Sequence, residues 1–213
     1  MGEAICCRTL FDTAPAYGQG RSEEVLGQAL GPRRKDVVLV TKVGVTWDEK
    51  GDWFLDGSRG SVLREVEDSL RRLQTDYIDL LVVHRPDLQA PLPEVVSALD
   101  EVQRSGKARY VGVSNFTVSH LKESMPHGTL VANQLGYNLF DRRMEDVISW
   151  CHNQRIGVMA YGSLCYGLLT GCRTPREIEE NVKTTGWSLS PADMAEIQYT
   201  MARAAGLSDQ TWP

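Results

Sequence analysis

Leu10-Phe11-Asp12-Thr13-Ala14-Pro15-Ala16-Tyr17-Gly18 is the stretch on which the reading of this chain turns. A short apolar run leads to Asp12, and a Pro- and Gly-punctuated loop carries Tyr17 beyond it. Ser22-Glu23-Glu24 then suits the opening of a helix, where a hydroxyl caps and acidic residues complement the dipole. Such a strand–loop–helix unit puts Asp12 at the C-terminal lip of its strand and Tyr17 in the loop above. Parallel α/β barrels keep their chemistry at that lip. Two further strands end on reactive groups in the same way. Val37-Val38-Leu39-Val40-Thr41-Lys42 ends on a lysine, and Ile78-Asp79-Leu80-Leu81-Val82-Val83-His84 on a histidine. Asp12, Tyr17, Lys42 and His84 are therefore the candidate reaction centre.

Outward from these positions the pattern alternates strand and helix. Ser22 is expected to cap a helix through Leu30, which Gly31-Pro32 ends. The run Val37–Lys42 is apolar on successive positions, as a strand buried on both faces should be. A long loop, Val43 to Gly57, carries Trp47, Trp53 and Phe54, which suit either the rim of a substrate mouth or packing within the loop. Ser58 caps a helix with Val62, Val66 and Leu70 at helical spacing, and Pro93 fits the first turn of the next. Ala108–Val113 is a strand running into Ser114-Asn115, and Thr117 caps a short helix. Leu130–Leu135 and Ile156–Ala160 are strands on either side of a helix at Met144–His152, the first ending near Gln134 and the second leading into Tyr161. Thr174–Val182 and the segment from Ser190 onward read as helices.

Such alternation predicts an α/β fold with a parallel sheet, whose right-handed crossovers set all strand C-termini on one face. Six strands are visible, against eight in a closed (β/α)8 barrel, a form that takes about 250 residues. The expectation is an incomplete (β/α)8 TIM barrel forming a single domain over 1–213. It is shortened at the N-terminus, where nothing before Leu10 is long enough for a preceding strand and helix. It is shortened again between about residues 164 and 175, where the intervening segment cannot hold a helix and a strand.

Composition narrows the class of function. A chain of 213 residues, 42% hydrophobic and 24% charged, is long enough for a sizeable core and ordinary for a globular domain. The net charge of −5 and the lack of any Lys/Arg cluster argue against a nucleic-acid partner. No apolar run approaches the roughly 18–20 residues of a membrane span, and Met1–Leu10 lacks the features of a signal peptide. The five cysteines show no C-x-x-C or Cys/His ligand spacing, so reduced thiols in the cytoplasm and no metal site are expected.

Phe11-Asp12-Thr13-Ala14…Tyr17-Gly18, Thr41-Lys42, Asp76-Tyr77-Ile78-Asp79-Leu80 running to His84, and Gly112-Val113-Ser114-Asn115-Phe116 together resemble the aldo-keto reductases. Ala160-Tyr161 followed by Gly167-Leu168-Leu169-Thr170-Gly171 is similar to the family's seventh strand and its loop. The order is right along nearly the whole chain. The resemblance implies hydride transfer between NADP(H) and an aldehyde, ketone or sugar alcohol. It implies contacts from Ser114, Asn115 and Gln134 to the nicotinamide carboxamide, with Tyr161 stacking on the ring. Arg173, Glu180 and Asn181 match the segment that holds the adenosine phosphate, although Glu177 puts a carboxylate where many relatives carry Gln or Arg. Relative to the family, strands one and eight are missing, which leaves the strands at Leu10–Asp12 and Ile156–Ala160, expected to be buried, with open edges through which the chain is expected to self-associate. The resemblance also admits a catalytically inactive, cofactor- or partner-binding relative like the potassium-channel β subunits.

For carbonyl reduction the four strand-end residues take complementary parts. A free phenol titrates near pH ~10, so Tyr17 needs a cation beside it to serve as the acid. Lys42 supplies that charge, Asp12 holds Lys42 oriented, and His84 is a second donor to the carbonyl oxygen. Taken singly, each is an ordinary structural residue. Ser114 and Asn115 equally suit a strand terminus with no ligand, and Tyr161 suits a core rim.

Overall fold

The computed structural model describes residues 10–163 and 165. These fall into a compact unit, 10–137 with 143–161, and a small remainder that includes 138–142. The compact unit is built on a six-stranded parallel sheet. Its strands are β1 (Leu10–Asp12), β2 (Val38–Val43), β5 (Ile78–Val83), β6 (Ala108–Ser114), β7 (Ala132–Gly136) and β8 (Gly157–Tyr161), in that spatial order. Between β2 and β5 the long loop is a hairpin, β3 (Val45–Trp47) with β4 (Trp53–Leu55), paired antiparallel. Helices α1 (Arg21–Leu30), α2 (Arg59–Leu73), α3 (Leu92–Arg104), α4 (Val118–Ser124) and α5 (Glu145–Asn153) make the crossovers. The six parallel strands and the alternation match the sequence reading, and strand limits shift by one or two residues. The hairpin was not foreseen, because Gly44, Asp48 and the turn at Gly51 read as loop punctuation.

Strand register sorts the side chains into two faces. Phe11, Leu39, Leu81, Val113 and Leu135 face outward: Leu81, Val113 and Leu135 join Val62, Val66, Leu99, Leu121 and Val147 of the helices in the main core, while Phe11 and Leu39 pack with Leu30, Val37 and Leu73 in a second cluster. Asp12, Val40, Lys42, Val82, Ser114, Gln134, Met159 and Tyr161 share the other face. There Val40, Leu80, Val82 and Ala132 form a smaller apolar layer beneath the polar strand ends.

That second face is concave. β1 and β7 are separated by β2, β5 and β6, which in a flat sheet sets them roughly 19 Å apart at about 4.8 Å per strand. Yet Gln134 Nε2 donates to Asp12 Oδ2 at 3.1 Å. The sheet is therefore curled as an arc of a barrel, and the curl turns strand ends distant in sequence into neighbours.

Two sequence expectations need correction. Ser22 does not cap α1: the N-cap is Gly20, with φ of 88° and no side-chain cap bond. A Cβ at Gly20 would lie 2.6 Å from Arg72 Cδ, and the Ser22 hydroxyl instead lies 2.8 Å from Thr13 Oγ1. The cause is the close approach of α2, whose Arg72 donates to Glu23 at 2.6 Å. The edge strands, expected to be buried, are not: Leu10 is 47% exposed and most of β8 is exposed or half-buried, while all six residues of β5 are buried. Among the described residues β1 pairs only with β2 and β8 only with β7. Ser58 and Thr117 do cap α2 and α4 as expected.

Candidate active site

The four residues come from the neighbouring strands β1, β2 and β5 and the loop after β1, so strand pairing sets them side by side. Lys42, at the end of β2, is 1% exposed. An ammonium has three N–H donors, and all three are used: 2.7 Å to Asp12 Oδ1, 3.0 Å to the Thr13 carbonyl and 3.2 Å to Tyr17 Oη. Because the phenol oxygen accepts from Lys42, its own O–H remains to donate outward, and Tyr17 is 43% exposed. The Tyr17 ring meets the His84 ring edge-on, with centroids 5.8 Å apart. Burial pushes the His84 imidazole down to about 4. The Lys42 ammonium and the Arg85 guanidinium push the same way, against the Asp12 carboxylate. At neutral pH His84 is an uncharged N–H donor.

The residues expected to meet a carboxamide form the adjoining half of the same face. Asn115 follows β6 with φ of 62°, a left-handed conformation that Asn tolerates better than most residues. Its Nδ2 donates to Ser114 Oγ at 3.0 Å and to the His84 carbonyl at 3.2 Å, and its Oδ1 accepts from Tyr161 Oη at 2.8 Å. Ser114 Oγ donates to the Gln134 carbonyl at 2.9 Å. Tyr161 lies down over β7 because Gly136 has no side chain: a Cβ there would meet the ring at 3.2 Å. Gln134 then joins the two halves through its bond to Asp12. Arg173, Glu180 and Asn181 lie outside the described residues.

Several groups that support the site were not singled out from sequence. The Thr13 carbonyl is backbone and carries no sequence signal. Glu23, read only as a dipole-favoured acid of the first helical turn, is 0% exposed, and its carboxylate accepts from Thr41 Oγ1 and Arg72 Nε, both at 2.6 Å. Glu65 and Asp87 pin the two feet of the hairpin, accepting from the backbone N–H of Gly44 at 3.0 Å and of Gly57 at 2.9 Å. Burial raises Glu65 to about 7; nearby Asp56 adds to this, while hydrogen bonds from Ser61 and Gly44 and the charge of Arg64 oppose it. The hairpin's tip meets the Tyr17 loop, where Gln19 Nε2 donates to the Gly51 carbonyl at 3.4 Å. Trp47 pairs with Trp53 across the hairpin, and Trp53 and Phe54 stand 68% and 45% exposed.

A concave sheet face with this constellation at its C-terminal lip has a counterpart in known proteins. The model of the aldo/keto reductase family matches residues 6–208. The chain belongs to the aldo/keto reductase family. Aldo-keto reductase YhdN of Bacillus subtilis is 44% identical over 169 residues, 78% of this chain and 51% of that protein. The NADH-specific methylglyoxal reductase of Escherichia coli is 38% identical, over 79% of this chain and 56% of that protein. This aldo/keto reductase chain thus spans about half the length of these relatives. Among solved structures, an aldo/keto reductase from Klebsiella pneumoniae in complex with NADP and acetate superposes with a TM-score of 0.77. It is 26% identical and covers 91% of this chain and 80% of that one. No helix among the described residues is long and apolar enough to cross a membrane.

Proposed function

We propose that this chain is a cytoplasmic NADP(H)-dependent oxidoreductase acting between a small aldehyde or ketone and the corresponding alcohol, sugar alcohols included. The observation that carries this reading is the Lys42 ammonium held 3.2 Å from the Tyr17 phenol and 2.7 Å from Asp12. Donor chemistry at the strand ends suits a nicotinamide carboxamide. Gln134 Oε1 accepts nothing among the described residues, Asn115 Oδ1 has a second lone pair beyond the one given to Tyr161, and Tyr161 offers a ring that is 40% exposed. Gln134, Asn115 and Ser114 would hold the amide and Tyr161 the ring. When bound, the cofactor supplies the hydride. Tyr17 passes its O–H proton to the carbonyl oxygen as charge develops there, and Lys42 stabilises the oxyanion left on the phenol. Asp12 keeps the ammonium in place. His84, uncharged, donates its N–H to the same carbonyl oxygen. The preference for NADP(H) over NAD(H) rests on Arg173. A non-catalytic role like that of a channel subunit requires none of the Lys42 geometry and is the weaker reading.

Tyr17→Phe is expected to abolish carbonyl-dependent NADPH oxidation while NADPH affinity, read by fluorescence titration, stays within a few-fold, because the hydroxyl acts in the transition state. Unchanged turnover in that variant removes Tyr17 from the acid role. Among the described residues β1 and β8 each pair on one side only, which supports a further part of the proposal, self-association of the isolated chain through strand pairing. Analytical ultracentrifugation tests it, and a monomer with a cooperative thermal transition contradicts it.

A further inference from the structure

Gln134 is 5% exposed and spans the concave face to reach Asp12. A carboxylate only accepts hydrogen bonds, so the amide must turn Nε2, its donor end, toward Asp12 Oδ2. That choice leaves Oε1 as an acceptor. Among the described residues Oδ1 of Asp12 is held by Lys42, and Oδ2 is held by Gln134. Asp12 also needs the anchor. It ends a strand of three residues that, among the described residues, pairs only with β2. A carboxylate tied at one oxygen pivots about its last torsion, whereas ties at both oxygens set its plane.

We infer that Gln134 is a positioning residue for the proton-donating group: its amide aligns Asp12 on Lys42, and a ligand amide that donates to Gln134 Oε1 locks that alignment. The inference rests on the reductase reading and adds a coupling between its two halves. An N–H donor on Oε1 fixes the flip state in which Nε2 faces Asp12. By linkage, an aligned Asp12 favours the amide state that receives the ligand. Occupancy of the carboxamide site and readiness of the Asp12–Lys42–Tyr17 chain are then one equilibrium.

The full chain, with and without NADPH, tests this by a double-mutant cycle of Gln134→Leu against Asp12→Asn. Asparagine at 12 keeps the shape but offers one acceptor oxygen to two donors. Gln134→Leu is expected to lower kcat at saturating NADPH and carbonyl substrate by roughly 10- to 100-fold, the range for a lost hydrogen bond to a charged group. In the Asp12→Asn background the same change should lower it less than about threefold. A fall of equal size in both backgrounds, or a change confined to the KM for NADPH, overturns the inference. A second readout needs no turnover: the Gln134 side-chain amide resonances of the cofactor-free protein, assigned by their loss in Gln134→Leu. They are expected to move in Asp12→Asn while the backbone amide spectrum elsewhere stays dispersed and unchanged. Resonances that stay in place overturn the inference. Absence of any wild-type NADPH oxidation with a moved Gln134 amide instead overturns the reductase reading and leaves the Gln134–Asp12 link standing.

Discussion

Two charged clusters sit at opposite ends of the same strands, and they are built to different ends. At the C-terminal lip, Lys42 is buried and directs one of its donors at a half-exposed phenol, beside a histidine that burial keeps neutral. At the N-terminal ends of β5 and β6, Asp79 bridges Arg34 at 2.8 Å and Arg109 at 2.9 Å and also accepts from the Leu39 N–H. Both guanidinium groups lie over the Tyr77 ring, at 4.1 and 4.2 Å from its centroid. There one carboxylate ties two guanidinium groups, and the Tyr77 ring lies between the two cations. Charge that closes on itself holds strands together, whereas charge that ends on an exposed O–H is available to a reactant. The contrast follows the general division of barrel ends into a stabilising and a reactive face.

Breaking the lip should cost the most. Lys42→Met is expected to lower turnover by on the order of a thousandfold, as loss of a preorganised charge beside the reacting group does. Arg109→Met, which removes a cation whose side chain is 58% exposed, should leave turnover within about twofold. Steady-state NADPH oxidation by the two purified variants makes that comparison. Comparable losses would erase the distinction between the two ends.

The opposite experiment comes next in size. Asp79→Ala strands Arg34, whose side chain is 10% exposed, without its carboxylate. Loss of one partner from a buried pair costs about 3–5 kcal/mol, which urea denaturation reads directly. Activity per folded molecule should be unchanged, since no residue of the lip touches Asp79.

The smallest effect is a pH dependence in which two buried groups oppose each other. Glu65 is raised to about 7, so it holds a proton in the native state that it loses at lower pH when unfolded. Its contribution to stability is present below the ordinary carboxylate range and is lost as pH rises toward 7. His84 is lowered to about 4, so the unfolded chain binds the proton more tightly, and its contribution is lost as pH falls from about 6.5 toward 4. The two shifts are of similar size and opposite sense, so between pH 4.5 and 6.5 they largely cancel. Glu65→Gln should therefore expose stability that rises with pH through this window, and His84→Gln stability that falls. Urea midpoints at three pH values check the signs, and parallel profiles in the two variants would contradict both.

Much of this was legible in the chain. Period and punctuation marked the six parallel strands and the crossovers. Asp12, Tyr17, Lys42 and His84 stood out because each is a reactive group where an apolar strand ends, and Ser114, Asn115 and Gln134 because polar side chains there need partners. The hairpin between β2 and β5 escaped, since strands of three residues flanked by Gly and Asp carry too little period to separate from loop. Ser22 failed as a cap because a packing contact from α2, fifty residues on, moved the helix start to Gly20.

The amino-acid sequence by itself determined which groups stand at strand ends, since apolar runs bounded by Gly, Pro and polar residues set each strand's extent and the pleat sets the side on which each residue falls. Only the tertiary structure decided which of them touch. Sheet curvature is a sum of small twists spread over many residues, with no local sequence mark. It is that curvature that closes the gap between Gln134 and Asp12 to 3.1 Å. Burial depth is likewise a property of the assembled helices and sheet. It made Glu23 a buried anchor beside the half-buried Glu24, and it set His84 uncharged next to a lysine.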